Sequence, residues 1–132
     1  MNNPNNPCIF CSIRKNELIF ENNFAYASRD SYPVSKFHSL VVPKRCIKNY
    51  FELNDQEILA CNDLIKKLKQ KITSEDNTVK GFNIGTNAGI VAGQSVFHCH
   101  IHVIPRRVDD VENPQGGVRS VIPSKQHYIR KK

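Results

Sequence analysis

Three of the five histidines alternate with apolar residues in Ser95-Val96-Phe97-His98-Cys99-His100-Ile101-His102-Val103-Ile104-Pro105. On an extended chain, residues two apart point to one side. His98, His100 and His102 then form a polar row, with Phe97, Cys99, Ile101 and Val103 on the opposite, core-seeking side. Such a row suits a metal site, a nucleophile with helpers, or a solvated polar face. Same-side positions on a strand stand about 7 Å apart, which makes convergence of all three rings on one ion awkward. Just ahead lies Asn87-Ala88-Gly89-Ile90-Val91-Ala92-Gly93-Gln94-Ser95. Its backbone amides can approach a phosphate closely, and Asn87 and Ser95 can donate to one. The same loop also reads as a tight connection, with Asn87 and Gln94 satisfying its own backbone. Neither the dinucleotide fingerprint nor the P-loop spacing is present.

The five cysteines are Cys8, Cys11, Cys46, Cys61 and Cys99. An odd count argues against a secreted disulfide framework. Cys8-x-x-Cys11 is compatible with a metal site, a redox pair or small core residues. A thioredoxin-like role calls for a βαβ setting, which this segment lacks.

Several elements must position these groups. Residues 17–20 and 24–27 read as two short strands around the turn Glu21-Asn22-Asn23. Ser39-Leu40-Val41-Val42 is a further strand ending near Pro43. The clearest helix starts at Asn54, with Glu57 at the reciprocal position of a capping box. Its expected apolar stripe is Ile58, Cys61, Ile65, Leu68 and Ile72, with lysines toward the C-terminal end where they suit the dipole. Polar Thr73 to Asn77 follows, then strands at 79–84 and 95–104, the latter closed by Pro105. A turn at 113–117 leads to a short apolar run at 118–122. This order predicts an α+β domain with an antiparallel sheet and one main packed helix.

The 132 residues have the size of one domain, with a polar lead at 1–7 and a basic extension from about 107 to 132. The formal net charge of +7 favours anionic partners, without distinguishing a nucleotide from a nucleic-acid backbone. Nucleic acid is the disfavoured reading, because aromatic and basic residues do not interleave as in a strand-binding sheet. Nothing approaches the length of a membrane span, and the N-terminus lacks a secretory pattern. A cytoplasmic protein with no membrane partner is expected. His127 reads as an ordinary surface residue.

Taken together, these segments resemble the histidine-triad family of nucleotide hydrolases and transferases. The resemblance rests on His98-Cys99-His100-Ile101-His102-Val103-Ile104, on Phe37-His38-Ser39-Leu40-Val41-Val42-Pro43-Lys44, and on the 87–95 loop. It covers roughly residues 8 to 106, and Gly116-Gly117-Val118-Arg119 with Tyr128 is similar to a tail of some microbial members. It implies that His100 is the nucleophile, forming a covalent nucleotidyl-histidine at the α-phosphate that water then opens. His102 would hold non-bridging oxygens, and His98 and His38 would complete the orienting network. Asn87, Gly93, Gln94 and Ser95 would form the phosphate side.

The implied substrate is a dinucleoside polyphosphate such as diadenosine tetraphosphate. A nucleoside phosphoramidase, or a nucleotide-binding regulatory protein without turnover, are the alternatives. The resemblance also implies structural zinc on Cys8, Cys11, Cys46 and His98, with Cys46 where the family usually has histidine. Cys61 and Cys99 are left as core residues. A homodimer is implied as well.

Overall fold

The structure is a computed structural model and describes residues 8–131; the polar lead at 1–7 lies outside them. The chain runs β1 (Leu18–Glu21), β2 (Ala25–Arg29), β3 (Ser39–Pro43), α1 (Asp55–Glu75), β4 (Val79–Gly85) and β5 (Ile101–Arg107), with short 3₁₀ turns between and after. The five strands make one sheet in the order β1-β2-β3-β5-β4, antiparallel at every pairing. The α+β expectation holds.

The β1–β2 hairpin closes as its asparagine predicts. Asn22 Oδ1 accepts from the amides of Phe24 and Ala25 at 3.0 and 2.9 Å, which tightens the turn in the usual way for this side chain. α1 begins on a full capping box: Asn54 Oδ1 accepts Glu57 N–H and Glu57 Oε1 accepts Asn54 N–H, each at 2.9 Å. Two of the orphan amides of the first turn are thereby satisfied.

The buried stripe of α1 is Cys61, Leu64, Leu68 and Ile72, packed on Ala25, Ala27, Val41, Ile101 and Val103 of the sheet. This corrects the predicted stripe. Ile58 is 38% exposed and Ile65 only flanks the core, whereas Leu64 is wholly buried. α1 also runs on through Thr73 and Ser74 to Glu75, so no basic residue occupies its last turn. Thr73 and Ser74 return their hydroxyls to the carbonyls of Lys69 and Lys71, so their polar groups are satisfied within the last turns of the helix.

The second correction concerns the histidine segment. β5 starts at Ile101, six residues later than expected, and passes through Pro105 to Arg107. Residues 95–100 are irregular because their polar groups bond outside any ladder: Cys99 N–H donates to Ile47 C=O at 2.8 Å and Thr86 Oγ1 donates to His100 C=O at 2.6 Å. Pro105 is tolerated because β3 pairs with β5 only from Ser39↔Val103 to Val41↔Ile101. Beyond Val103 the β3 side has no strand to receive an N–H, and Pro105 C=O on that side accepts Ser35 Oγ at 2.7 Å.

Candidate active site and metal cluster

Four histidines are held in defined tautomers: three are read from a partner that can only donate or only accept, and the fourth, His102, follows from His38. His100 Nδ1 lies 2.8 Å from His98 C=O. A carbonyl only accepts, so Nδ1 carries the proton of the neutral ring and Nε2 carries the lone pair. His98 Nε2 lies 2.7 Å from Pro43 C=O, which places the His98 lone pair on Nδ1. His38 Nδ1 accepts from Val34 N–H at 3.1 Å; a main-chain amide only donates, so the His38 proton sits on Nε2. That Nε2–H is 2.9 Å from His102 Nδ1, which therefore accepts and leaves an N–H at His102 Nε2. The result is a directed relay, Val34 N–H to His38 to His102, ending in a donor beside a lone pair on His100.

The surrounding backbone explains why His38 sits so. Phe37 adopts φ 73°, a left-handed conformation rare for a bulky residue. It is held there by Ser39 Oγ donating to Phe37 C=O at 2.7 Å and by Arg29 and Lys36 over its ring. His38 is 3% exposed. Burial holds it below its ordinary pKa despite the opposing pull of Asp30. Burial, then His100 and His38, lower His102 likewise. Neutral imidazoles at neutral pH follow for both.

Asp30 is a member of this network that sequence reasoning missed. Its Oδ2 stands 3.3 Å from His38 Nε2 and 3.8 Å from His102 Nδ1. The only signal was a carboxylate ahead of Ser31-Tyr32-Pro33, and that is explained by the turn itself, since Asp30 Oδ1 accepts Tyr32 N–H at 2.8 Å. Asp30, His38 and His102 are close enough to hold a cation, but Val34 N–H occupies His38 Nδ1 and forces the proton onto Nε2. The trio is a hydrogen-bond relay.

A cavity of about 510 Å³ contains His100, His102, His38, Asn87, Ser95 and Asp30, with Ile9, Phe10, Ile13 and Leu40 as its apolar wall. His98 is absent from that lining; it is fully buried and turned toward the cysteines. Gly93 (φ 94°) closes the 87–95 loop in the left-handed region, which favours glycine. Gln94 is 5% exposed. Its Oε1 accepts Gly89 N–H at 2.9 Å and its Nε2 donates to the carbonyls of Lys48 and Val96. Both ends of this amide order the loop that presents Ser95. A second cavity of about 820 Å³ lies between β4, β5 and the C-terminal tail, lined among others by Asn83, Ile104, Val118 and Ser120. The two cavities share Val34, His38, Asn87 and His102. Arg119 is engaged within the tail, donating to Lys125 C=O and Gln126 C=O and stacking on Tyr128.

The cysteine pair meets the histidine row in space. Donor atoms of Cys8, Cys11, Cys46 and His98 all lie within 4.8 Å of one another. His98 Nδ1 is 3.1 Å from Cys8 Sγ and 3.4 Å from Cys11 Sγ. Around tetrahedral zinc, bonds of about 2.3 Å to sulfur and 2.0 Å to nitrogen give N···S edges near 3.5 Å. The fit is in the chemistry as well. His98 presents a lone pair, not an N–H, to three sulfurs. Burial and the neighbouring Cys8 and Cys46 sulfurs push the Cys11 thiol up to about 12, the behaviour of a crowd of thiols whose ionised forms need a cation among them. Cys46 is carried by a braced segment: Arg45 donates to both Glu57 oxygens at 3.0 and 2.8 Å, so the capping box of α1 also anchors the loop that carries Cys46. Cys61 and Cys99 are buried in the α1 core and a small cluster with Ile47 and Leu53. His127 is exposed, with Nε2 3.0 Å from Asn113 C=O.

Comparison with known proteins settles the lineage. The model of the HIT domain matches residues 13–109. The chain belongs to the HIT domain family. The adenosine 5'-monophosphoramidase of Schizosaccharomyces pombe is 35% identical to this HIT protein, over 75% of this chain and 74% of that one. A Zn-bound histidine triad family protein from Mycobacterium smegmatis is 27% identical, with a TM-score of 0.72, covering 80% of this chain and 79% of that chain. Plasmodium falciparum diadenosine triphosphate hydrolase is 28% identical, with a TM-score of 0.70, covering 87% and 82%. Among the described residues no helix is long and apolar enough to cross a membrane.

Proposed function

We propose that this HIT protein, taken as one unit over 1–132, is a hydrolase that cleaves nucleotides at the α-phosphate, with dinucleoside polyphosphates as substrates. The observation that carries the reading is the His100 Nδ1–H···O=C contact to His98, which aims a free Nε2 lone pair into the cavity. Nε2 attacks the α-phosphorus, a P–N bond forms, and the bond from phosphorus to the leaving oxygen breaks with its electron pair on that oxygen. The positive charge left on the His100 ring is stabilised by the same carbonyl. Water then attacks phosphorus, releases the nucleoside monophosphate with loss of a proton, and returns His100 to its neutral form. His102 Nε2–H donates to a non-bridging oxygen. Ser95 faces the leaving group, Asn87 the phosphate or ribose, and Gly93 with Gln94 sets the loop. Phosphoryl transfer asks for this kind of positioning and charge stabilisation.

Two cavities meeting at His38, His102 and Asn87 support a substrate with a nucleoside on each side of the phosphate chain, in keeping with the Plasmodium neighbour. The S. pombe relative favours the second reading, a phosphoramidase with a small amine leaving group. Zinc on Cys8, Cys11, Cys46 and His98 is structural in this proposal, since four protein ligands leave no open position for water. The apolar side chains exposed on the tail, Val118, Val121 and Ile122, and the unpaired edge of β4 support a homodimer, placed in the cytoplasm. Chromatography of diadenosine tetraphosphate digests tests the function: AMP with ATP is expected, and His100→Ala should give neither. Turnover of adenosine phosphoramidate alone would favour the second reading, and near-normal turnover by His100→Ala would remove the nucleophile assignment.

A further inference from the structure

Residues 8–13 form no helix or strand, yet they build the apolar wall of the cavity that holds His100. Phe10 sits between the two cysteines of the cluster. Its ring lies 4.9 Å from the His100 ring at 51° and 6.0 Å from the His98 ring at 88°, within the range of aromatic contact. Its carbonyl accepts the hydroxyl of buried Tyr26 at 2.6 Å, and its side chain packs with Tyr26, Leu40 and Val42. The segment is therefore fixed at two places, the sulfurs of Cys8 and Cys11 and the Tyr26 hydroxyl, with Phe10 spanning from that anchor to the nucleophile. The wall has no ladder hydrogen bonds to hold it if the sulfur anchor is lost.

We propose that Phe10 is a positioning residue that couples the Cys8, Cys11, Cys46, His98 cluster to the nucleotide cavity, so that zinc and nucleotide bind cooperatively. The inference rests on the nucleotide reading above. Zinc draws Cys8 and Cys11 to His98 and sets Phe10 against His100 and the cavity. A nucleotide packed on that wall in turn holds the two cysteines in their ligating positions. Linkage requires the two effects to be equal.

The experiment uses the full chain, zinc and AMP, a product that is not turned over. Zinc affinity is measured by competition with a chromophoric chelator, with and without saturating AMP, and AMP affinity is measured on the zinc-loaded protein by calorimetry. For the wild type, AMP should raise zinc affinity about tenfold, in the range of ordinary coupling free energies. Phe10→Ala should bind zinc alone nearly as the wild type does, while AMP changes its zinc affinity by less than about twofold. Phe10→Tyr keeps the ring and should retain the coupling. Phe10→Leu, which refills the wall without a ring, should show reduced coupling and serves where the alanine variant does not fold. Coupling through global folding alone would survive in Phe10→Ala and Phe10→Leu, and that survival overturns the proposal. So does a wild type whose zinc affinity is the same with and without saturating AMP. A zinc-loaded wild type that binds no AMP overturns the nucleotide reading and this inference with it.

Discussion

Replacing His38 tests the relay from which the tautomers were derived. In His38→Ala, His102 Nδ1 loses the Nε2–H that stood 2.9 Å away, and Asp30 Oδ2 at 3.8 Å becomes the nearest charged partner for a proton on His102 Nδ1. The His102 tautomer that presents a lone pair, not an N–H, to the phosphate is then favoured. Loss of one hydrogen bond to a charged oxygen is worth about 1.5–3 kcal/mol, which corresponds to a fall in kcat of about ten- to a hundredfold. Removing the imidazole also strips Val34 N–H of its acceptor, a loss that water can partly make good because Val34 is exposed, so stability should fall by about 1 kcal/mol. His38→Gln puts an amide donor near the old Nε2 position and should recover most of kcat. Steady-state kinetics of dinucleoside polyphosphate cleavage, with thermal melts alongside, separates the two effects, and nitrogen NMR of the His102 ring reads the tautomer directly. Full kcat in His38→Ala, or a wild-type His102 protonated at Nδ1, would refute the reasoning.

Other consequences are as definite. Leu68→Ala opens a cavity under α1, where Leu68 is wholly buried, and should cost about 2–5 kcal/mol by denaturant unfolding. Burial lowers the His38 pKa below its ordinary 6.5, so the unfolded chain takes a proton more readily; this contribution is intact above pH 6.5 and declines as the pH falls toward the folded value. The slope of stability against pH in that window should be smaller in His38→Gln. Gly116 has φ 71°, and a Cβ there would clash with the main-chain carbonyl of Gln126, so Gly116→Ala should expose the tail to proteolysis while the five-stranded sheet persists. Purified protein should hold about one zinc per chain, and Cys46→Ser should lower that content by elemental analysis; a full metal complement in Cys46→Ser would remove it from the ligand set.

How much of this was legible in sequence differs from residue to residue for physical reasons. Asn54 and Glu57 announced α1 because a capping box is a local motif whose hydrogen bonds span three residues. The cluster of Cys8, Cys11, Cys46 and His98 could be anticipated only through resemblance, since the Cys8 and Cys11 pair, Cys46 and His98 are far apart in sequence and meet only in the fold. Leu64 was overlooked because Ile58 and Ile65 also fit a 3.6-residue period, and only the packing against Val41 and Ile101 chooses between the stripes. The strand start was misplaced because apolar alternation from Phe97 to Val103 describes extended chain, whereas a strand needs a ladder partner. Thr86 and Ile47 take that partner's place at residues 99–100. Asp30 was hidden by doing two things at once, capping a turn with one oxygen and facing His38 with the other.

The central claim is that His100 Nε2 carries the nucleotidyl group between substrate and water. Turnover of diadenosine tetraphosphate in heavy-oxygen water, acid-free quenching and mass mapping of the His100 peptide address it in one experiment. An adenylyl group on that peptide, heavy oxygen in AMP and none in ATP are expected. Heavy oxygen in ATP, or full turnover with His100 never modified, would contradict it.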